Sequence, residues 1–430
     1  MVSKDKTTIT FHSGILTIGG TVIEVAYKDS HIFFDFGTEF LPKLELTDES
    51  VQTLVNHRVI PHLKNVYDAR IPYKYEGDED KDYANTAVFI SHAHLDHTRM
   101  LNYLDPNIPL YTLKETKMIV NSLNRNGVFL LPSPFEDETF TRDMIGLDAG
   151  DVIKVGEIEV EIVRVDHDAY GAAALIIKTP GHHITYTGDL RLHGHNAEDT
   201  IEFCKKAKHT DILMMEGVSI SFSDRPVEVE AFKPETEEDV IRHIAHLEQE
   251  NPNRQITFNG YPANVRRFEK IVEGTSRTVV LEATMAALLK EVFQKEAHYY
   301  YREGAPRLEE LDPALEIPYE TLLEDTSEYL WQVVDHFERL QEGSLYIHSD
   351  AQPLGDFDPN YQPFLDLLAE KNIEFVRLAC SGHAKPEDLD RIIAMIEPKC
   401  LIPIHTLKPE LLENPYGKRI LPYRGEKIVL

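Results

Sequence analysis

The 430 residues contain no uninterrupted apolar run approaching the roughly 20 positions that a membrane-spanning helix requires. The opening segment, MVSKDKTTITFHS, also lacks the apolar stretch of a secretory signal, so a cytoplasmic location is the expectation. Cysteine is scarce: Cys204, Cys380 and Cys400 are odd in number and far apart, with no C-x-x-C pair. That excludes a disulfide framework and a thiolate zinc site, leaving three small buried hydrophobes. Positive charge is short as well, with 44 Lys and Arg against 73 Asp and Glu and a formal net charge of −29. The average field of such a chain repels a polyanion, so a nucleic-acid partner requires a local basic groove.

What remains is ordinary globular composition, 42% hydrophobic and 27% charged, in a chain long enough for two or three domains. Ile9–Phe11, Thr21–Tyr27 and His31–Phe34 are β-rich runs divided by Gly19-Gly20 and Asp29-Ser30. Ala87–Ile90 is another, and strands recur at Val152–Val165 with a turn at Gly156, at Ala172–Lys178 and at His183–Thr187. Thr98–Leu104 and Lys114–Leu123 carry helical patterns between them. From about residue 212 the texture changes to strands alternating with amphipathic helices. Thr236 opens one with Asp239 three residues on, and Gly260-Tyr261-Pro262 leads into another bearing Val265, Phe268 and Ile271. Glu303–Asp325 reads as surface loop and short helix, Leu345–Ile347 and Glu374–Leu378 as strands, and Pro386 opens a last helix that Pro398 stops.

The strongest signal is Ser91-His92-Ala93-His94-Leu95-Asp96-His97. Residues two apart leaving a strand point to one side, so His92 and His94 can reach a single cation, while Asp96 and His97 face a neighbouring one. Imidazole and carboxylate without thiolate suit zinc, with manganese and iron as open alternatives. A solvated His-rich loop is the plainer reading, but four ligand-type residues in six positions behind an apolar strand argue against it. Three more ligand types follow predicted strands: His167 after Val165-Asp166, Asp189 in Thr187-Gly188-Asp189, and His405 after Ile402-Pro403-Ile404.

Together these residues resemble the site of the metallo-β-lactamase superfamily, which implies an α/β fold with an αββα sandwich. By that resemblance His92, His94 and His167 hold one divalent ion, Asp96, His97 and His405 hold a second, and Asp189 bridges them. Asp35, in Phe34-Asp35-Phe36-Gly37, is similar to the superfamily's first motif and supports the site from behind its ligands. Two such cations about 3.5–4 Å apart share a hydroxide, lower its pKa toward roughly 7 and stabilise charge on an attacked phosphorus or carbonyl.

More than two hundred residues separate Asp189 from His405, and this interval resembles the β-CASP insertion of ribonuclease J and of the cleavage and polyadenylation endonuclease. Glu216 in Met214-Met215-Glu216-Gly217, His383 in Ser381-Gly382-His383-Ala384, and His405 match the group's three insertion motifs. The resemblance implies that His383 protonates the leaving oxygen or steadies the transition state, oriented by Glu216. Asp96 of the metal cluster joins them in the expected catalytic set. It further implies a metallo-β-lactamase domain from residues 1–215 and 378–430, an inserted β-CASP-like domain at 216–377, and an active site in the cleft between them. The expected activity is that of a dinuclear metal-dependent ribonuclease or phosphodiesterase acting on single-stranded RNA or another phosphodiester. Hydrolysis of a small ester, thioester or lactone is the alternative.

Departures from the pattern bear on the substrate. The position four residues before His383, where many ribonuclease J-like chains carry a histidine, holds Ala379 here. The chain runs only 25 residues past His405, so the C-terminal assembly domain of full ribonuclease J is expected to be absent. The acidic run Glu76–Asp82 reads as a solvated loop near the cleft. Candidate phosphate contacts are Arg266, Arg267 and Lys270 on one helix, with Lys205, Lys206 and Lys208 elsewhere. An ordinary charged helix face explains them equally well.

Overall fold

The computed structural model describes residues 6–39, 41, 44–63, 65–73, 85–222, 233–356 and 358–430; the acidic run Glu76–Asp82 lies outside them. The chain divides into two compact units, one formed by Met1–Leu192, Asn196–Pro226 and Gly382–Leu430, the other by His193–His195 and Val227–Ser381.

The first unit contains two seven-stranded sheets among its described residues. In spatial order one consists of Lys427–Val429, Thr7–Ser13, Val22–Tyr27, Ser30–Phe34, Asn85–Phe89, Leu110–Leu113 and Ile145–Leu147. The other consists of Lys418–Arg419, Cys400–Ile404, Ile212–Glu216, His182–Tyr186, Ala173–Thr179, Ile158–Arg164 and Val152–Val155. Side chains alternate across a pleated strand, and the two periodicities of the second sheet sort its residues into two cores. Met214 and Ile402 face the first sheet with Phe34, Phe89, Leu175 and Tyr186. Leu213, Met215 and Leu401 face the opposite way, against Phe203 of the helix Ala197–Lys206 and Leu389, Ile392 and Ile396 of the helix Pro386–Ile396. Two sheets sharing one core, with helices on the outer face of the second, are the sandwich expected from the sequence.

The second unit is built on one six-stranded sheet in the order His298–Tyr300, Thr278–Glu282, Tyr329–Gln332, Ile256–Gly260, Leu345–Ser349, Glu374–Arg377. All its ladders are parallel, so each connection crosses over, mostly through helices such as Glu237–Glu250, Val265–Gly274, Ala283–Phe293 and Tyr361–Glu370. Thr236 and Asp239 form a reciprocal capping box at the first of these helices. Trp331, Tyr346, Tyr300, Leu322 and Leu368 fill its core.

One predicted helix is broken. Thr98–Leu104 is a short helix, Leu95–Thr98, followed by the 3-10 turn Leu101–Tyr103. The amide of Met100 leaves the helical ladder to donate to the Phe36 carbonyl, 3.2 Å away, which ends the helix beside the ligand loop. Among the described residues no helix is long and apolar enough to cross a membrane.

Candidate metal centre

Topology gathers the ligand types of the first unit. Cys400–Ile404, Ile212–Glu216 and His182–Tyr186 run parallel and in register, so their C-terminal ends lie together. Glu216 closes the middle strand, His405 follows the first directly, and Asp189 lies three residues past the third. Asn85–Phe89 delivers His92, His94, Asp96 and His97 from the other sheet, and Ile158–Arg164 delivers His167. Two site residues occupy the left-handed backbone region that non-glycine residues rarely adopt, Asp35 at φ 60° and His405 at φ 50°. Gly188, beside Asp189, is obligatory: its φ is +54°, and a Cβ there would lie 2.6 Å from the Ala173 carbonyl.

Two clusters of donor atoms result. His92 Nε2 is 3.2 Å from His94 Nδ1, which is 3.3 Å from His167 Nε2. Donors about 2.0–2.1 Å from one tetrahedral ion stand about 3.3–3.4 Å apart, so this spacing fits three ligands of one cation. The second cluster comprises Asp96, His97, Asp189 and His405. There His97 Nε2 is 3.4 Å from Asp96 Oδ2 and 3.3 Å from Asp189 Oδ2, and His405 Nε2 is 3.5 Å from Asp96 Oδ2. Asp189 Oδ2 is also 3.6 Å from His92 Nε2, so a single carboxylate oxygen borders both clusters. Asp189 Oδ2, His97 Nε2 and both ring nitrogens of His405 are buried without a hydrogen-bond partner among the described residues. Buried polar atoms left in this way are costly, and a cation would relieve Asp189 Oδ2, His97 Nε2 and one ring nitrogen of His405 together.

The surrounding groups fix which nitrogen faces inward. Asp35 accepts from the Ser91 amide at 2.7 Å, Ser91 Oγ at 2.9 Å, His97 Nδ1 at 2.9 Å and the Tyr186 hydroxyl. The bond from Nδ1–H leaves His97 Nε2 as the ligand atom. His92 Nδ1 meets Ser91 Oγ at 2.9 Å, and His167 Nδ1 donates to the Gly382 carbonyl at 2.5 Å. Ser91, Tyr186 and Gly382 were not foreseen from the sequence, and neither was Asp168. Its carboxylate lies 3.0 Å from His167 Nε2 and 3.4 Å from His94 Nε2. The only sequence signal for Asp168 is its place directly after a ligand-type histidine.

Electrostatics point the same way. Burial lowers the pKa of His92, of His405 and of His167, the last to about 3, so these imidazoles are neutral and free to ligate. Burial also opposes charge on His97, yet Asp96, Asp189 and Asp35 raise its pKa well above the ordinary value. That proton marks where carboxylates call for positive charge. Burial opposes the ionised forms of Asp189 and Asp168, but neighbouring histidines hold both below the usual carboxylate range.

His383 sits beside the clusters. Its Nδ1 is 3.2 Å from Glu216 Oε1 and 3.8 Å from Asp189 Oδ2. Burial works against its protonation, but Glu216, then Asp189 and Asp168, push its pKa up to about 9. Glu216 is fully buried, and its other oxygen accepts from the Val218 amide at 2.9 Å. These carboxylates bias His383 toward its protonated form.

The candidate phosphate contacts require correction. Arg267 is 1% exposed and donates to Glu237 at 2.7 and 2.8 Å, to Asp350 at 3.0 Å and to the Cys380 carbonyl at 3.1 Å. It is an interior strut of the second unit and cannot meet a phosphate. Arg266 pairs with Glu269 and stacks on Phe293, and Lys270 pairs with Glu273 at 2.8 Å. Lys205, Lys206 and Lys208 pair with Glu202, Glu161 and Glu397. All six cations already have carboxylate partners.

Residues 76–251 match a family model described as a beta-lactamase superfamily domain. Over 94% of its length the chain is similar to proteins named ribonuclease J: 23% identical to that of Helicobacter pylori strain B128 and 20% to that of Mycoplasma genitalium. It spans 56% of the Helicobacter protein and 68% of the Mycoplasma one. A solved structure from Enterococcus faecalis V583, titled as a protein of unknown function, superposes with a TM-score of 0.97. That protein is 72% identical, with 99% of this chain and 100% of that chain covered.

Proposed function

Since the chain belongs to the metallo-β-lactamase superfamily, we propose that it is a dinuclear metal-dependent hydrolase, and most specifically a ribonuclease J-like phosphodiesterase of the cytoplasm. The observation that carries the reading is Asp189 Oδ2, buried and unpartnered between a cluster of three histidines and a cluster of two histidines and an aspartate. In this reading His92, His94 and His167 hold one divalent cation, zinc by preference. Asp96, His97 and His405 hold the other, and Asp189 is shared. Two cations there would supply an activated water and neutralise the charge that develops on phosphorus.

The chain's own residues supply the rest. His383, biased toward its protonated form by Glu216, gives its proton to the departing alkoxide. Glu216 keeps that proton on His383 and fixes the ring through Nδ1, so Nε2 is the nitrogen turned to the leaving oxygen. Asp35 and Ser91 hold the ligand loop rigid. The three cysteines are buried and unpaired with one another, in keeping with a reducing compartment.

One observation favours a second reading, hydrolysis of a small ester, thioester or lactone. The six cations singled out for a polyanion are already paired, in a chain of net charge −29. The two readings separate in one screen: protein reconstituted with zinc or manganese, assayed on single-stranded RNA, single-stranded DNA and small neutral esters. Metal-dependent cleavage of RNA supports the phosphodiesterase. Ester hydrolysis without any nucleic-acid cleavage refutes it and leaves the metallohydrolase. Absence of bound metal after reconstitution overturns both.

A further inference from the structure

His94 differs from the other first-cluster histidines in the nitrogen it turns inward. His92 and His167 present Nε2, whereas His94 presents Nδ1, 3.2 and 3.3 Å from those two atoms. Its Nε2 therefore carries the hydrogen and points away, and Asp168 Oδ1 stands 3.4 Å from it. The same oxygen lies 3.0 Å from His167 Nε2 and accepts from the Ala169 amide at 2.9 Å. Asp168 is thus an anchored carboxylate at the edge of the cluster, beside the inward nitrogen of His167 and the outward nitrogen of His94.

Residue 382 makes room for it. A Cβ there would fall 2.5 Å from both Cγ and Oδ1 of Asp168 and 2.8 Å from Oδ2, distances that Cβ atoms essentially never show. The carbonyl of the same glycine takes the Nδ1 proton of His167. The turn that carries His383 therefore also braces two of the three first-cluster histidines, one through its backbone and one through the carboxylate it accommodates.

We propose that Asp168 is a positioning residue for the first cation. It fixes His94 in the tautomer that ligates through Nδ1 and places a negative charge against the imidazoles of His94 and His167, and Gly382 is the glycine that this arrangement requires. The inference rests on the reading that the cluster holds ions, and it assigns Asp168 no contact with substrate. Carboxylates behind metal-bound histidines typically govern metal affinity by roughly 10–100-fold.

The test is a cobalt(II) titration of chelator-stripped protein, following the visible absorption of each position and total metal by elemental analysis. Wild type should take two ions. Asp168→Ala should weaken one by roughly 10–100-fold and change its absorption bands while the other is unchanged. Asp168→Asn, whose amide oxygen can still accept from His94, should recover part of the loss. Gly382→Ala, which displaces the carboxylate, should resemble Asp168→Ala. Circular dichroism and thermal unfolding identify any variant that fails to fold; if Asp168→Ala does, Asp168→Asn decides, and its first ion must be weaker than in wild type. Two ions bound to the folded variants with wild-type affinity and bands overturn the inference. So does equal loss of both ions. Failure of wild type itself to bind metal overturns the metal-centre reading instead.

Discussion

Replacing Arg267 by alanine distinguishes a structural arginine from a substrate-binding one. Its guanidinium makes two bonds to Glu237, one to Asp350, two to Ser349 and one to the Cys380 carbonyl. Both partners of the main pair, Arg267 and Glu237, have side chains 1% exposed. Burial alone would discourage the charged arginine, yet Glu237 and Asp350 raise its pKa. Truncation strips both guanidinium bonds from the buried Glu237 carboxylate, which keeps the bond from the Asn264 amide at 3.3 Å. Breaking a buried pair from one side typically costs about 3–5 kcal/mol. Over a urea slope of roughly 2 kcal/mol/M, that is a midpoint shift of about 2 M in the transition that reports the second unit. The double variant Arg267→Met with Glu237→Leu removes both charges and should recover most of the loss, because no charge is left stranded. Urea unfolding followed by the fluorescence of Trp331, which lies in the core of that unit, reads the effect directly. If Arg267→Ala changed stability by less than about 1 kcal/mol while weakening RNA binding, Arg267 would be a ligand contact and its interior placement wrong.

Three other outcomes follow from the site and its surroundings. His383→Ala should retain full metal content but lower turnover by roughly 10²–10⁴-fold, whereas Asp189→Ala should lose metal; elemental analysis beside kinetics checks both, and full activity in either variant defeats the assignment. His348, hydrogen-bonded to Tyr346 and the Pro353 carbonyl, is depressed by burial to about 4, so unfolding takes up a proton between about 6.5 and 4. Its contribution is intact above pH 6.5 and declines as pH falls through that window by about 3 kcal/mol, and His348→Gln should flatten the acid limb of an unfolding-versus-pH curve, with an unchanged limb counting against it. Because six candidate cations are already paired, the affinity for a single-stranded nucleic acid should fall less than about threefold between roughly 50 and 200 mM salt, as for about one phosphate contact; a hundredfold fall would mean that other basic groups form a phosphate track.

The sequence exposed the candidate ligand set because strands deliver it. His92, His94, Asp96 and His97 form one run, and His167, Asp189 and His405 each follow an apolar segment that folds as a strand. The αββα sandwich was expected from the likeness of these motifs to the metallo-β-lactamase site, and segments such as Leu213-Met214-Met215 show how it is built, with Met214 toward one core and Leu213 and Met215 toward the other. The parts that stayed hidden depend on long-range neighbours. Arg267 lies between the apolar positions Val265 and Phe268 on a helix that reads as amphipathic, and its burial is decided by Glu237, thirty residues away. The break after Thr98 depends on the Phe36 carbonyl, sixty-four residues before Met100. Asp168 resembles any solvated aspartate until residue 382 is brought against it. The helix Ala283–Phe293 was missed for another reason: six of its residues are buried, which blurs the one-sided apolar stripe that marks an amphipathic helix.

The conformation of the centre carries its own implication. Asp35 and His405 adopt backbone angles that cost of order 1–3 kcal/mol each and persist only where surroundings over-determine them. For Asp35 the surroundings are four donated hydrogen bonds, and the strain is offset within the protein. For His405 they are not: the backbone amide bonds to the Gly14 carbonyl at 3.1 Å, but both ring nitrogens are buried without a hydrogen-bond partner among the described residues. A strained backbone that presents an unsatisfied side chain is unfavourable twice over, unless something outside the chain completes it. Carboxylate oxygens stand by each nitrogen without hydrogen-bonding to it, Asp96 Oδ2 3.5 Å from Nε2 and Asp189 Oδ1 3.7 Å from Nδ1, and either could share a cation with the nitrogen it faces. A cation bound through one ring nitrogen would offset this cost, so His405→Ala is expected to lower occupancy of the proposed second position more than of the first.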